Sequence, residues 1–167
     1  QLYGLRSSRN AGIGNFTDLR KAAEVWGARG AGIVGVNPLH ALSLRDPGNA
    51  SPYSPSSRLF LNPLYIDIES VPDFIELSED EPEKIARWRE RTAKLRATPT
   101  VDYAGVAEAM REMFDALFAN FHERHLSSAT PRGRAFAQFR ESRGAALRRH
   151  ALHEALAEYH GKPWREW

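Results

Sequence analysis

The side chains with most chemical potential gather between Asn37 and Asp67. Ala50-Ser-Pro-Tyr-Ser-Pro-Ser-Ser-Arg58 sets one flat ring, Tyr53, among Ser51, Ser54, Ser56, Ser57 and the fork-shaped donor Arg58; Asn62 follows shortly after. Phe60 and Tyr65 add flat apolar surface. Rings mixed with neutral hydrogen-bonding groups suit a hydroxylated, largely uncharged ligand such as a sugar. A simpler reading fits the same composition: an ordered, proline-stiffened connection packed on its own core.

Other chemistry has weaker starting points. Carboxylates for glycoside chemistry should flank a sugar site in pairs, and this half of the chain offers Asp46, Asp67 and Glu69 without a local sequence that marks an acid or nucleophile. No catalytic residue is assigned. Gly12-Ile-Gly14 before a helix lacks the third glycine of the dinucleotide fingerprint and the Gly-Lys-Ser/Thr of a nucleotide loop. His122 and His125, and His150 and His153, each lie three apart, but a metal site needs further ligands converging in a cavity. No metal or cofactor is expected. With no cysteine in the chain, thiolate nucleophiles and disulfides are excluded.

The elements that must carry the loop follow from periodicity. Gln1–Arg6 alternates and reads as a short strand; Arg9–Asn15 is a glycine-bearing turn. Asn15 or Thr17 can cap a helix over about Phe16–Ala28, with Phe16, Leu19, Ala23 and Trp26 on a buried stripe. Ala31–Val36 reads as a strand buried on both faces, as in a parallel sheet. The loop then leaves that strand's C-terminal end, where parallel folds bind ligands. Four of the ten prolines fall between Pro47 and Pro63, and Pro52 and Pro55 bias their predecessors towards extended backbone. Two short strands are expected near Leu59–Leu61 and Tyr65–Ile68.

After Pro72 the pattern turns helical: from Ser78 or Glu79 with Ile85, Trp88 and Leu95; from about Asp102 to Arg124 with Val106, Met110, Met113, Phe114, Leu117, Phe118 and Phe121; then two helices parted near Gly144. The division expected is 1–78 and 79–167. The chain's 23 basic and 21 acidic residues nearly cancel, although seven arginines face two glutamates between Phe121 and His150. That stretch suits either a solvated helical face or an interaction module that binds nucleic acid; nucleic acid is the less favoured partner. No run is long enough for a membrane helix, and a cytoplasmic protein is expected. An abrupt start without methionine suggests a piece of something longer.

Several blocks carry a resemblance. Gln1-Leu-Tyr-Gly-Leu-Arg-Ser7, Arg9-Asn10, Gly12-Ile-Gly14 with Phe16 and Asp18-Leu19, Val36-Asn-Pro-Leu-His-Ala-Leu42, Ala50–Arg58, Leu61-Asn62 and Tyr65-Ile-Asp67 occur in order. Together they resemble the 4-alpha-glucanotransferases, or amylomaltases, of glycoside hydrolase family 77. The resemblance implies an α/β fold, the (β/α)8 TIM barrel, of which this chain would supply the first two strands, the first helix and a mostly α-helical inserted subdomain. It also implies transfer of α-1,4-glucan segments between maltodextrins through a covalent glycosyl-enzyme, with the catalytic carboxylates on later strands. By the same analogy Ser51, Pro52 and Tyr53 line the donor side of the cleft, Tyr53 stacking on the sugar, and Asn62 and His40 are assigned to substrate binding. The implied partners are the glucan and the remainder of the barrel. Asn15 stands where the family usually has aspartate and Ala11 where tryptophan is common. Gly48 replaces a tyrosine that serves a second glucan site in some relatives.

Overall fold

The computed structural model describes residues 1–161 and 164–167. It forms two compact units, Gln1–Asp115 and Ala116–Trp167. The first is mostly helical with one two-stranded antiparallel sheet.

Helix α1 spans Phe16–Gly27. Its start is fixed by a capping box: Asp18 N donates to Asn15 Oδ1 at 2.9 Å, and Asn15 N donates to Asp18 Oδ2 at 3.0 Å. The box is buried and extended by Asn10, whose Nδ2 donates to the same Asp18 oxygen at 2.8 Å. Of the expected stripe on α1, Phe16, Leu19 and Ala23 are half-buried and Trp26 is 46% exposed.

The strands expected at Gln1–Arg6 and Ala31–Val36 are not formed. Leu2–Gly4 is a 3-10 turn, Ala31–Val36 runs without ladder pairing, and Ile33 is 90% exposed. β-branched composition favours a strand only where a neighbouring strand accepts its hydrogen bonds, and no described segment lies alongside. The observed sheet pairs β1, His40–Ala41, with β2, Ser57–Leu61. β2 matches the expectation at Leu59–Leu61. The one at Tyr65–Ile68 is replaced by two 3-10 turns, Pro63–Tyr65 and Ile68–Ser70.

Helices α2, Pro72–Asp80, and α3, Pro82–Arg96, come next. The helical stretch thus starts earlier than its periodicity suggested and breaks at Glu81, whose φ −130° and ψ 59° are not helical. Pro82 is the cause, because its ring disfavours helical backbone in the preceding residue. Helix α4, Tyr103–Phe121, buries Val106, Met110, Met113, Leu117 and Phe121 of the expected stripe, but leaves Phe114 half-buried and Phe118 51% exposed. Leu2, Ile13, Tyr65, Phe74, Ile85, Trp88 and Leu95 belong to the first unit's buried set, each large side chain contributing about 1.5–3 kcal/mol by burial. Phe74 and Trp88 join α2 to α3 edge-on, with centroids 5.8 Å apart. Arg91 bridges from α3 to Glu108 at 2.6 Å and Glu112 at 3.3 Å on α4.

In the second unit α4 passes through a π turn, His122–Leu126, into α5, Pro131–His160. Thr130 caps α5 and Pro131 opens it. Gly144, at φ 52° and ψ −131°, breaks α5 into two helical runs where the sequence places the boundary. Arg132, Arg140 and Arg143 lie over the rings of Phe121, Phe136 and Phe139 at 5.3, 5.8 and 5.6 Å. These guanidiniums serve as packing surface as well as charge. Among the described residues no helix is long and apolar enough to cross a membrane.

Candidate functional site

The sheet exists to close a loop. Residues 42–56 leave β1 and return into β2, and Ser56 ties the neck. Its backbone N and its Oγ both donate to the Ala41 carbonyl, at 2.9 and 3.1 Å. Asn62 N donates to Leu39 O at 2.9 Å on the other side of the pairing. Between these bonds the partner of β1 moves from Leu61, opposite His40, to Ser57, opposite Ala41. Such a bulge bends the strand and re-aims its side chains. Close ends and a compact course make this an Ω-loop.

The loop is built from local turns. Asn49 N donates to Asp46 O at 3.0 Å, and Ser54 N donates to Ser51 O at 3.1 Å. The second is a β-turn with Pro52 and Tyr53 at its centre; proline's fixed φ suits the first central position. Tyr53 therefore projects from the turn's tip, 71% exposed. Ser51 beside it is exposed and Pro52 half-buried.

The remaining predicted site residues lie elsewhere. His40 is half-buried within β1. Asn62 is only 1% exposed: its Oδ1 accepts from Leu64 N at 3.1 Å, capping the Pro63–Tyr65 turn, and its carboxamide faces the Tyr65 phenol. The structure thus presents Ser51 and Tyr53 outward and turns Asn62 inward.

Other parts of the first unit are joined by polar ties that composition did not flag. Leu2 N donates to Asn37 Oδ1 at 3.0 Å. Arg9 Nη2 donates to Asp67 Oδ2 at 2.9 Å and to Ser70 Oγ at 3.1 Å, while Ser70 Oγ donates to that same carboxylate oxygen at 2.8 Å. Arg96 Nη1 reaches Asn10 O at 2.7 Å. Burial pushes the Tyr65 hydroxyl above its ordinary pKa, Tyr103 adds to this, and the Asn37 and Asn62 carboxamides act the other way. Burial likewise raises Tyr103, with Tyr3 adding to it and Arg6 opposing. Asp67 is engaged by Arg9, and Glu69 accepts from Arg89 at 3.2 Å. Both carboxylates that sequence offered beyond the loop are thus held in ion pairs.

An outward ring among hydroxyls, on a loop tied at its neck, has the make-up of a segment that contacts a polyhydroxylated ligand. The profile of the 4-alpha-glucanotransferase family matches residues 1–167. The 4-alpha-glucanotransferase of Mycobacterium tuberculosis is 35% identical over 183 residues, covering 100% of this chain and 23% of that protein. That of Haemophilus influenzae is 35% identical over 162 residues, covering 93% and 22%. The crystal structure of amylomaltase from Corynebacterium glutamicum matches with a TM-score of 0.75 at 32% identity, over 88% of this chain and 20% of that one. The chain belongs to the 4-alpha-glucanotransferase family. It spans about a fifth to a quarter of the length of these relatives.

Proposed function

We propose that this chain is the opening part of a 4-alpha-glucanotransferase and that its Ω-loop contacts an α-1,4-glucan at the Ser51–Tyr53 turn. In this reading residues 1–78 begin a (β/α)8 barrel, residues 79–167 form its helical insertion, and the protein works in the cytoplasm on maltodextrins. His40 and Asn62 belong to the substrate side as supports of the loop's neck rather than as exposed ligands. The observation that carries the reading is Tyr53, held out by a hydrogen-bonded turn on a closed loop, in a chain matched end to end by this family.

Retaining glycosyl transfer requires a nucleophile and an acid/base about 5–5.5 Å apart. The paired state of Asp67 and Glu69 makes them poor candidates, so the chemistry is assigned to carboxylates beyond this chain. The test has two arms. The purified 167-residue chain incubated with maltotriose should yield neither glucose nor longer glucans, whereas the longer protein that carries it should yield both. Disproportionation by the short chain, or none by the long one, would overturn the proposal.

A further inference from the structure

The underside of the Ω-loop meets a helix. Leu42, Pro47 and Ala50 of the loop and its neck line one shallow crevice with Leu64, Tyr103 and Ala107. Tyr103 is the first residue of α4, and Ala107 stands one turn on, so both present the same helical face. That end of α4 is firmly seated. Asp102 Oδ1 accepts from Gly105 N at 2.9 Å, and a Cβ at Gly105 would stand 2.7 Å from Leu95 Cδ2, so α4 approaches α3 closely there. α4 therefore enters the crevice from a fixed position against α3.

The loop needs such a support. Its turns are local and its neck is pinned at Ser56, but a loop fixed only at its ends keeps much conformational freedom in its middle. Tyr103 offers a broad, half-buried ring to the crevice that residues 42–50 of the loop also line, and the exposed Tyr53 is not among the lining residues.

We propose that Tyr103 is a positioning residue for Tyr53: the helical segment supplies the floor that holds the Ω-loop in the conformation that presents Tyr53 to the glucan. This rests on the proposed glucan contact of Tyr53 and assigns a role in ligand positioning to a helix outside the loop and its motif.

The experiment uses the longer protein carrying this chain. Hydrogen exchange of residues 42–56 is compared between wild type and Tyr103→Ala, and kcat/KM for maltotriose is measured for Tyr103→Ala, Tyr103→Phe, Tyr53→Ala and the double alanine variant, each with its melting temperature. Exchange should quicken within 42–56 in Tyr103→Ala and stay unchanged elsewhere. Tyr103→Ala should lose roughly fivefold in kcat/KM, carried mainly by KM, and Tyr103→Phe should recover most of it. In the Tyr53→Ala background the same substitution should cost under about twofold, because residues acting through one another are not additive. Equal losses in both backgrounds, unchanged loop exchange, or a loss that merely tracks melting would overturn the proposal. Wild-type kinetics for Tyr53→Ala, with loop exchange still quickened by Tyr103→Ala, would instead remove the glucan contact and leave the floor standing.

Discussion

Arg9 and Asp67 are 58 residues apart in sequence and 2.9 Å apart in space, with Asp67 buried to 3% side-chain exposure and Arg9 open at 39%. That asymmetry makes their removal unequal. Asp67→Asn leaves an arginine that can turn to water. Arg9→Leu leaves a buried carboxylate without its cation, which costs more. Asp67→Asn should destabilise the chain by about 1 kcal/mol and Arg9→Leu by about 2–3 kcal/mol. Urea unfolding of both variants checks the order, and an equal or reversed pair of values would refute it.

In the longer enzyme proposed to carry this chain, Tyr53→Ala should remove the exposed ring and little else, since Tyr53 contributes no core burial. Aromatic stacking contributes about 1 kcal/mol beyond area, and covering the ring by a ligand adds about 1–2 kcal/mol. The loss in kcat/KM should be roughly 10- to 100-fold with an unchanged melting temperature, and Tyr53→Phe should lose less. Near-normal kinetics for the alanine variant would end the stacking role.

Gly14 lies against the Leu2 carbonyl, and a Cβ there would also meet Leu5 Cβ at 2.8 Å. Because its neighbours include backbone, relief requires the Leu2–Gly4 turn to move. Gly14→Ala should cost about 2 kcal/mol, a fall in Tm of roughly 4–8 °C. Gly27, the last residue of α1, faces open space, so Gly27→Ala should hold or slightly raise Tm. Thermal melts of the two variants side by side decide this.

Tyr65 and Tyr103 both titrate above the ordinary tyrosine value in the folded chain, chiefly through burial. As pH rises through about 10 the unfolded chain therefore loses these protons first. Stability should be full below about pH 10 and fall above it. Denaturant midpoints at about pH 8 and about pH 11 measure the fall, and Tyr65→Phe should reduce it. A midpoint unchanged between those pH values would contradict the assignment.

Legibility differed by element. α1 could be read to within a residue because its signals are local: Asn15 and Asp18 make the cap and Gly27 closes the run. Most of the α4 stripe, though not Phe118, and the break at Gly144 were legible for the same reason. Ala31–Val36 misled, because a buried-strand composition says nothing about whether a partner strand lies alongside. The start of α2 at Pro72 was hidden by its short length, and the stop at Glu81 had its cause in Pro82. In the loop, the exposed turn over Ser51–Ser54 was legible through the prolines that shape it. Asn62 looked the same as an exposed polar residue, and only packing in the fold leaves it 1% exposed. Ser56 and Tyr103 carried no signal, since a neck and a floor are defined by what crosses in space.

The break at Gly144 has a consequence for how α5 forms. Helix growth is cooperative once a first turn exists, and that first turn is the costly step. A residue at φ 52° and ψ −131° carries no helical order across itself, so the run ending in His160 must be nucleated separately from the run that Thr130 caps. The thirty residues of α5 thus behave as two short melting units in series, each with its own opening equilibrium.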